Sequence, residues 1–278
     1  VLKACGSTVG LDHLRCYRAS LFDPLSFDYG GGRIHAAPGL TAGPTLRNAM
    51  QRFSGKLRGK APDGPAFLAM AEAIMAANLD RFENLGDSKP GTCTSHFNVV
   101  DADGNMAAVT QTLLSLFGSR VMLPATGIMM NNGMMWFDPR PGRANSIGAG
   151  KRPLCNMCPI VATRGDAGWF ALGASGGRRI VPAVLQLATF LIDYGMDLET
   201  AFHQPRIDVS GTEGITADEN LPEAMVQHLG ARHQTATGPR TADPLLFACP
   251  SGVLRDAKTG QAQGMAEVTA PWAGASAA

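Results

Sequence analysis

The sequence predicts an α+β fold in which sheets are covered by helical layers. Three observations point there: a long amphipathic helix ahead of the strands, a change of hydrophobic period to two at Thr94, and further helices among the strands that follow. With 278 residues, 45% hydrophobic and 17% charged, the chain has material for one large or two small globular domains. A net charge of +1 with scattered Lys and Arg gives no basic field for nucleic acid or an anionic membrane. The longest apolar run, Ile180–Ile192, is interrupted by Pro182, Gln186 and Thr189 and is shorter than the roughly 18–20 residues that span a bilayer. The chain opens on Val1 with no charged and then apolar leader, which reads as a mature form or a fragment and leaves the compartment undecided.

The first part reads as helix and loop, with Gly30-Gly31-Gly32 and the stretch from Pro38 to Pro44 as punctuation. One helix is expected over Asp63–Leu85, because Phe67, Met70, Ala71, Ile74, Met75, Asn78, Leu79 and Phe82 recur at three and four. Gly86 and Pro90 stop it. A strand then begins at Thr94, Asp101–Asn105 makes a hairpin turn, and Met106–Leu114 returns as the second strand. Further strands are expected at Ile128–Asn131, Pro159–Thr163, Trp169–Leu172, Arg206–Val209, Leu245–Ala248 and Ala262–Val268. Helices are expected at Val181–Tyr194 and Leu221–Leu229, with a helical turn or two over Asp197–Phe202.

Thr94 carries the first chemical signal. A threonine hydroxyl is a poor nucleophile until a base takes its proton, and cutting the chain between Cys93 and Thr94 would give this residue an α-amine of pKa about 7.7–8.0 as its own base. Acyl transfer then needs an oxyanion hole and a substrate pocket. In Thr110-Gln111-Thr112 the two threonines share one strand face, and only one face can meet Thr94. Gly176-Gly177 ahead of a helix lets the backbone approach an acyl carbon closely, although such a pair is also an ordinary turn. Cys155-Asn156-Met157-Cys158 has the spacing of a redox pair or half a zinc site, but no second CxxC or HxxxH accompanies it, so no metal or cofactor is expected.

Taken in order, Thr94–Asp101, Asn131-Asn132, Lys151-Arg152-Pro153-Leu154, Met157, Pro159 and Gly173–Ile180 resemble the small subunit of the γ-glutamyltranspeptidases, N-terminal nucleophile hydrolases that cut their own precursor ahead of a threonine. The similarity runs from about Thr94 to roughly Asp208. It extends weakly backwards through Leu11–Leu14 and Tyr29-Gly30 into what would be the end of a large subunit. The resemblance implies an αββα sandwich of two stacked antiparallel sheets flanked by helices. Residues 1–93 would be the mostly helical end of a large subunit and residues 94–278 the catalytic region. It also implies a large and small subunit heterodimer after cleavage of the Cys93–Thr94 bond, and a small amide or γ-glutamyl-type substrate. Thr94 would be the nucleophile, Thr112 the second threonine that hydrogen-bonds it, and Gly176 and Gly177 the oxyanion hole.

The substrate-binding positions depart from the family. The serines that hold a glutamyl α-carboxylate correspond to Cys155 and Asn156, and Asn156 keeps a strong donor while Cys155 does not. After Asn132, the residues that would hold the α-ammonium are Gly133 and Trp136, and a third position is Leu114. A buried ammonium against Trp136 would cost several kcal/mol. The expected function is therefore a self-processing amide hydrolase or acyltransferase of a divergent, acylase-like branch. The alternatives are a true glutathione hydrolase and an uncleaved, inactive binding relative or fragment.

Overall fold

The computed structural model describes residues 1–86, 93–241, 243 and 245–277. In chain order the elements are α1 (Leu11–Cys16), β1 (Leu25–Tyr29), β2 (Gly32–Ala36), α2 (Gly43–Phe53), α3 (Gly64–Asn84), β3 (Cys93–Val100), β4 (Met106–Leu114), β5 (Met122–Leu123) and β6 (Ile128–Met129). They continue with β7 (Ile160–Arg164), β8 (Ala167–Ser175), α4 (Ile180–Ile192), α5 (Leu198–His203), β9 (Ile207–Asp208), β10 (Ile215–Asp218), α6 (Glu223–Gly230), β11 (Thr235–Gly238), β12 (Cys249–Arg255) and β13 (Ala262–Ala266). No helix among the described residues is long and apolar enough to cross a membrane.

The main sheet has six strands in the order β1-β2-β7-β8-β12-β13, every neighbouring pair antiparallel. The β3–β4 hairpin stacks on β8 and β12, and α4 lies against the same two strands within a core that includes residues of α2 and α3. The architecture is thus α+β with two stacked antiparallel sheets, as the resemblance implied, and it adds a three-stranded sheet, β11-β10-β9, whose β10–β11 pair is parallel. The strand period sorts the hairpin by face. Thr94, His96 and Asn98 are partly buried, whereas Ser95, Phe97 and Val99 are exposed.

α3 forms where its periodicity predicts. The Asp63 side chain caps it by accepting from Ala66 N at 2.9 Å, and Pro65 occupies the first turn, where its missing N–H costs nothing. Pro90, expected beyond its end, lies outside the described residues. α4 is apolar all round because it is enclosed all round, and all 13 of its residues are buried. Gln186 sits within it because both ends of its amide bond β9: Oε1 accepts from Ile207 N at 2.8 Å and Nε2 donates to Ile207 O at 2.7 Å. Behind β12, fully buried Arg206 pairs with Glu267, and Arg240 lies 3.5 Å from both Asp218 and Glu267. The network rests on charge pairing, since Arg206 Nη1 and Asp218 Oδ2 have no hydrogen-bond partner among the described residues, and removing one member costs about 3–5 kcal/mol through the charge left unpaired.

Two expectations fail. The first part contributes more than helix and loop, because β1 and β2 form a hairpin that joins the main sheet through β7. Leu25-Ser26-Phe27-Asp28-Tyr29 does alternate, and Gly30-Gly31 is its two-residue turn with both φ values positive. Leu245–Ala248 is not a strand. Phe247 and Ala248 are buried in a loop, and the strand begins at Cys249, where Pro250 and Gly252 give the sequence the look of a turn. The strand expected at Ile128–Asn131 shortens to two residues paired with β5.

Candidate active site

Thr94 stands directly across from Thr112 in the β3–β4 register, just past an irregularity at Cys93, which opens the strand. The Thr94 Oγ1 hydroxyl donates to Thr112 Oγ1 at 3.1 Å, and Thr112 Oγ1 also accepts from Leu114 N at 2.9 Å. The face of Thr110 and Thr112, not that of Gln111, therefore meets Thr94. Leu114, the last residue of β4, has φ 76°, a left-handed conformation unusual for a non-glycine residue. Thr94 lies on the wall of a cavity of about 390 Å³ shared with His96, Asn98, Ser175, Cys249 and the chain from Trp272 to Ser276.

The glycine pair follows β8 directly. Gly176 has φ 134° and Gly177 φ 63°, both in the region that favours glycine, and a short 3-10 turn over Gly177–Arg179 runs into α4. A Cβ on Gly176 would lie 2.9 Å from Ala248 Cα. Ser175, the preceding residue, shares the cavity with Thr94, while Gly176 and Gly177 do not line it. The first-turn amides of a helix carry partial positive charge, which is the feature an oxyanion needs.

The residues expected to bind substrate lie apart from that cavity and are joined to one another. Asn132 anchors to the end of β4: its N donates to Leu113 O at 3.1 Å, and its side chain exchanges hydrogen bonds with Ser115 N and Oγ at 3.1 and 2.8 Å. The Trp136 carbonyl accepts from Asn145 Nδ2 at 2.7 Å, and Asn145 Oδ1 accepts from Leu154 N at 3.0 Å. Buried Asn145 thus links the loop after Asn132 to the segment that carries Cys155 and Asn156. Arg81 of α3 holds that segment from below, donating to Cys155 O at 2.7 Å, Asn156 Oδ1 at 3.1 Å and Thr41 O at 3.1 Å. Asn156 Nδ2 is buried without a hydrogen-bond partner among the described residues. Burial raises the Cys155 thiol above its ordinary pKa and lifts Cys158 to about 12, so both are inert thiols near neutral pH. No cluster of three His, Cys, Asp or Glu side chains among the described residues is arranged to hold a metal ion.

Arg81, His96 and Asn145 escaped the sequence reading. Arg81 had a signal, since it falls three residues after Asn78 on the apolar side of α3, where a buried cation demands partners. His96 also had one, sharing the strand face of Thr94 two residues on. Asn145 lies in a loop with no periodicity, and only the fold shows what it joins.

Comparison with known proteins identifies the family and the fold. The sequence profile of the family described as "Gamma-glutamyltranspeptidase" matches residues 88–275. The acylase ACY 1 proenzyme of Pseudomonas sp. (strain SE83) is 42% identical over 176 residues, which is 62% of this chain and 31% of that protein. The glutathione hydrolase proenzyme of Escherichia coli (strain K12) is 30% identical over 256 residues, 72% of this chain and 44% of that protein. The chain thus spans less than half the length of either relative. Cephalosporin acylase from Bacillus halodurans superposes with a TM-score of 0.85 at 22% identity, over 96% of this chain and 55% of that one, and so shares its fold.

Proposed function

The chain belongs to the γ-glutamyltranspeptidase family, and on that premise we propose that it is the catalytic part of a self-processing amide hydrolase or acyltransferase whose nucleophile is Thr94. The Thr94–Thr112 hydroxyl pair at 3.1 Å carries this reading. In the precursor, Thr94 Oγ1 attacks the Cys93 carbonyl, the amide nitrogen leaves as the Thr94 α-amine, and water hydrolyses the resulting ester. Cleavage divides the chain into large- and small-subunit pieces. The freed α-amine then takes the Thr94 hydroxyl proton as the oxygen attacks a substrate amide, and returns a proton to the departing amine. The amides at Gly176-Gly177 stabilise the tetrahedral oxyanion, Thr112 orients the nucleophile, and water or an acceptor amine resolves the acyl-enzyme. Two relatives are named proenzymes, which supports the self-cleavage step.

The acyl donor is an amide without an α-ammonium group. From Met106 to Phe137 the sequence contains no Asp or Glu, so the loop after Asn132 offers no carboxylate to an ammonium. The next one, Asp138, is engaged by Arg140 Nε at 2.9 Å and Nη2 at 2.7 Å, which holds its carboxyl down at about 2. An ammonium buried there would be unpaired, at a cost of several kcal/mol. With the full-length protein, glutaryl-p-nitroanilide is expected to be released at least about tenfold faster than its α-amino counterpart, γ-glutamyl-p-nitroanilide, because each 1.4 kcal/mol of lost pairing is a factor of ten. Preference for the γ-glutamyl compound would instead make the protein a glutathione hydrolase, as one of its relatives is named.

A further inference from the structure

We propose that His96 is a positioning residue for Thr94, seated in a notch that Gly173 leaves open on β8. The proposal rests on the reading of Thr94 as nucleophile and adds what fixes it in place. His96 lies two residues along β3 on the same face and opposite Thr110, as Thr94 lies opposite Thr112. Its Nε2 lies 3.0 Å from Asn98 Oδ1, an acceptor, so Nε2 carries the proton and Nδ1 accepts from the Thr110 hydroxyl at 2.7 Å. Asn98 Nδ2 then donates to Ser251 Oγ at 3.2 Å, and Ser251 Oγ donates to His96 O at 3.3 Å. The chain of bonds ties both strands of the hairpin to β12.

Steric fit completes the attachment. A Cβ on Gly173 would collide with the imidazole, 2.6 Å from Nδ1 and closer still to Nε2 and Cε1, so the ring occupies the space where any other residue would place its side chain. Gly173 is two residues before Ser175 on β8, and Ser175 leads into Gly176-Gly177. The same contact therefore sets the height of the Thr94 strand above the strand that delivers the glycine pair. Burial pushes the His96 pKa down to about 4, which keeps the ring neutral at working pH and suits it to holding geometry.

The test is the acylation rate of the full chain per nucleophile, with active Thr94 counted by burst amplitude on the anilide. A displacement near 1 Å costs up to about 10²-fold in rate, so His96→Ala is expected to slow acylation by about 10- to 100-fold per active site while KM stays within about twofold. His96→Asn, whose Oδ1 can still accept from Thr110, should recover most of the rate. Gly173→Ala alone should be as slow as His96→Ala, yet add no further loss in the double variant, because the ring it strikes is gone. Wild-type acylation per site in His96→Ala, or a Gly173→Ala loss that adds in full, would overturn the proposal. Should Thr94→Ala retain turnover, the fault would lie with the nucleophile assignment and not with His96.

Discussion

Thr94→Ala is expected to leave the precursor uncut and to lower amide turnover by at least about 10⁴-fold, since knocking out the nucleophile of a comparable catalytic unit removes nearly all of its acceleration. The effect is large because one residue supplies two groups: the hydroxyl that attacks and, after cleavage, the amine that takes its proton. The variant should fold normally. Thr94 is a half-buried strand residue whose side chain makes one cross-strand hydrogen bond, to Thr112, and losing such a bond costs about 1 kcal/mol. Electrophoresis under denaturing conditions and the melting temperature of the same sample separate failure to cleave from failure to fold. A Thr94→Ala chain that still divides at this bond would assign the cleavage to another group.

Gly176→Ala is expected to reduce kcat by about 10²–10³-fold, the loss that follows removal of one oxyanion donor. Two features of the position act together. Its φ of 134° is one that alanine resists, and an added Cβ would press on the Ala248 backbone at 2.9 Å. Backbone strain of this kind costs on the order of 1–3 kcal/mol, so the peptide planes at 175–177 would turn to relieve it and their N–H groups would lose their aim. KM should change little, because the oxyanion exists only beyond the ground state. A Gly176→Ala enzyme with normal kcat would remove the glycine pair from the mechanism.

The parts of this fold that sequence periodicity specifies are those whose burial has a single cause. α3 buries one face and shows a period near four, while β3 and β4 bury one face and show a period of two, so both were legible. α4 and the β1–β2 hairpin differ. α4 is apolar on every side, which marks it as enclosed without saying by what, and the hairpin was masked by glycines that also punctuate loops. β12 was missed because its Pro250 and Gly252 occupy a central strand, where tertiary packing overrides local propensity.

The candidate site was legible in a similar measure. Thr94, Thr112, Gly176 and Gly177 sit in motifs, and the register places the two threonines opposite each other. Arg81 and Asn145 act across 75 and nine residues of sequence, respectively, reaching Asn156 and Leu154. No local pattern encodes such a pairing. The chemistry of Asn132, Trp136, Cys155 and Asn156 could be read from residue type, but their connection through Asn145 and Arg81 could not.

The N-terminal sequence of the product that carries residues 94–278, obtained from mature protein, tests the central claim most directly. The account predicts a chain beginning Thr94-Ser95-His96-Phe97, with a free α-amine on Thr94. A mature protein that is fully active with the Cys93–Thr94 bond intact, or a product that begins at another residue, would contradict it.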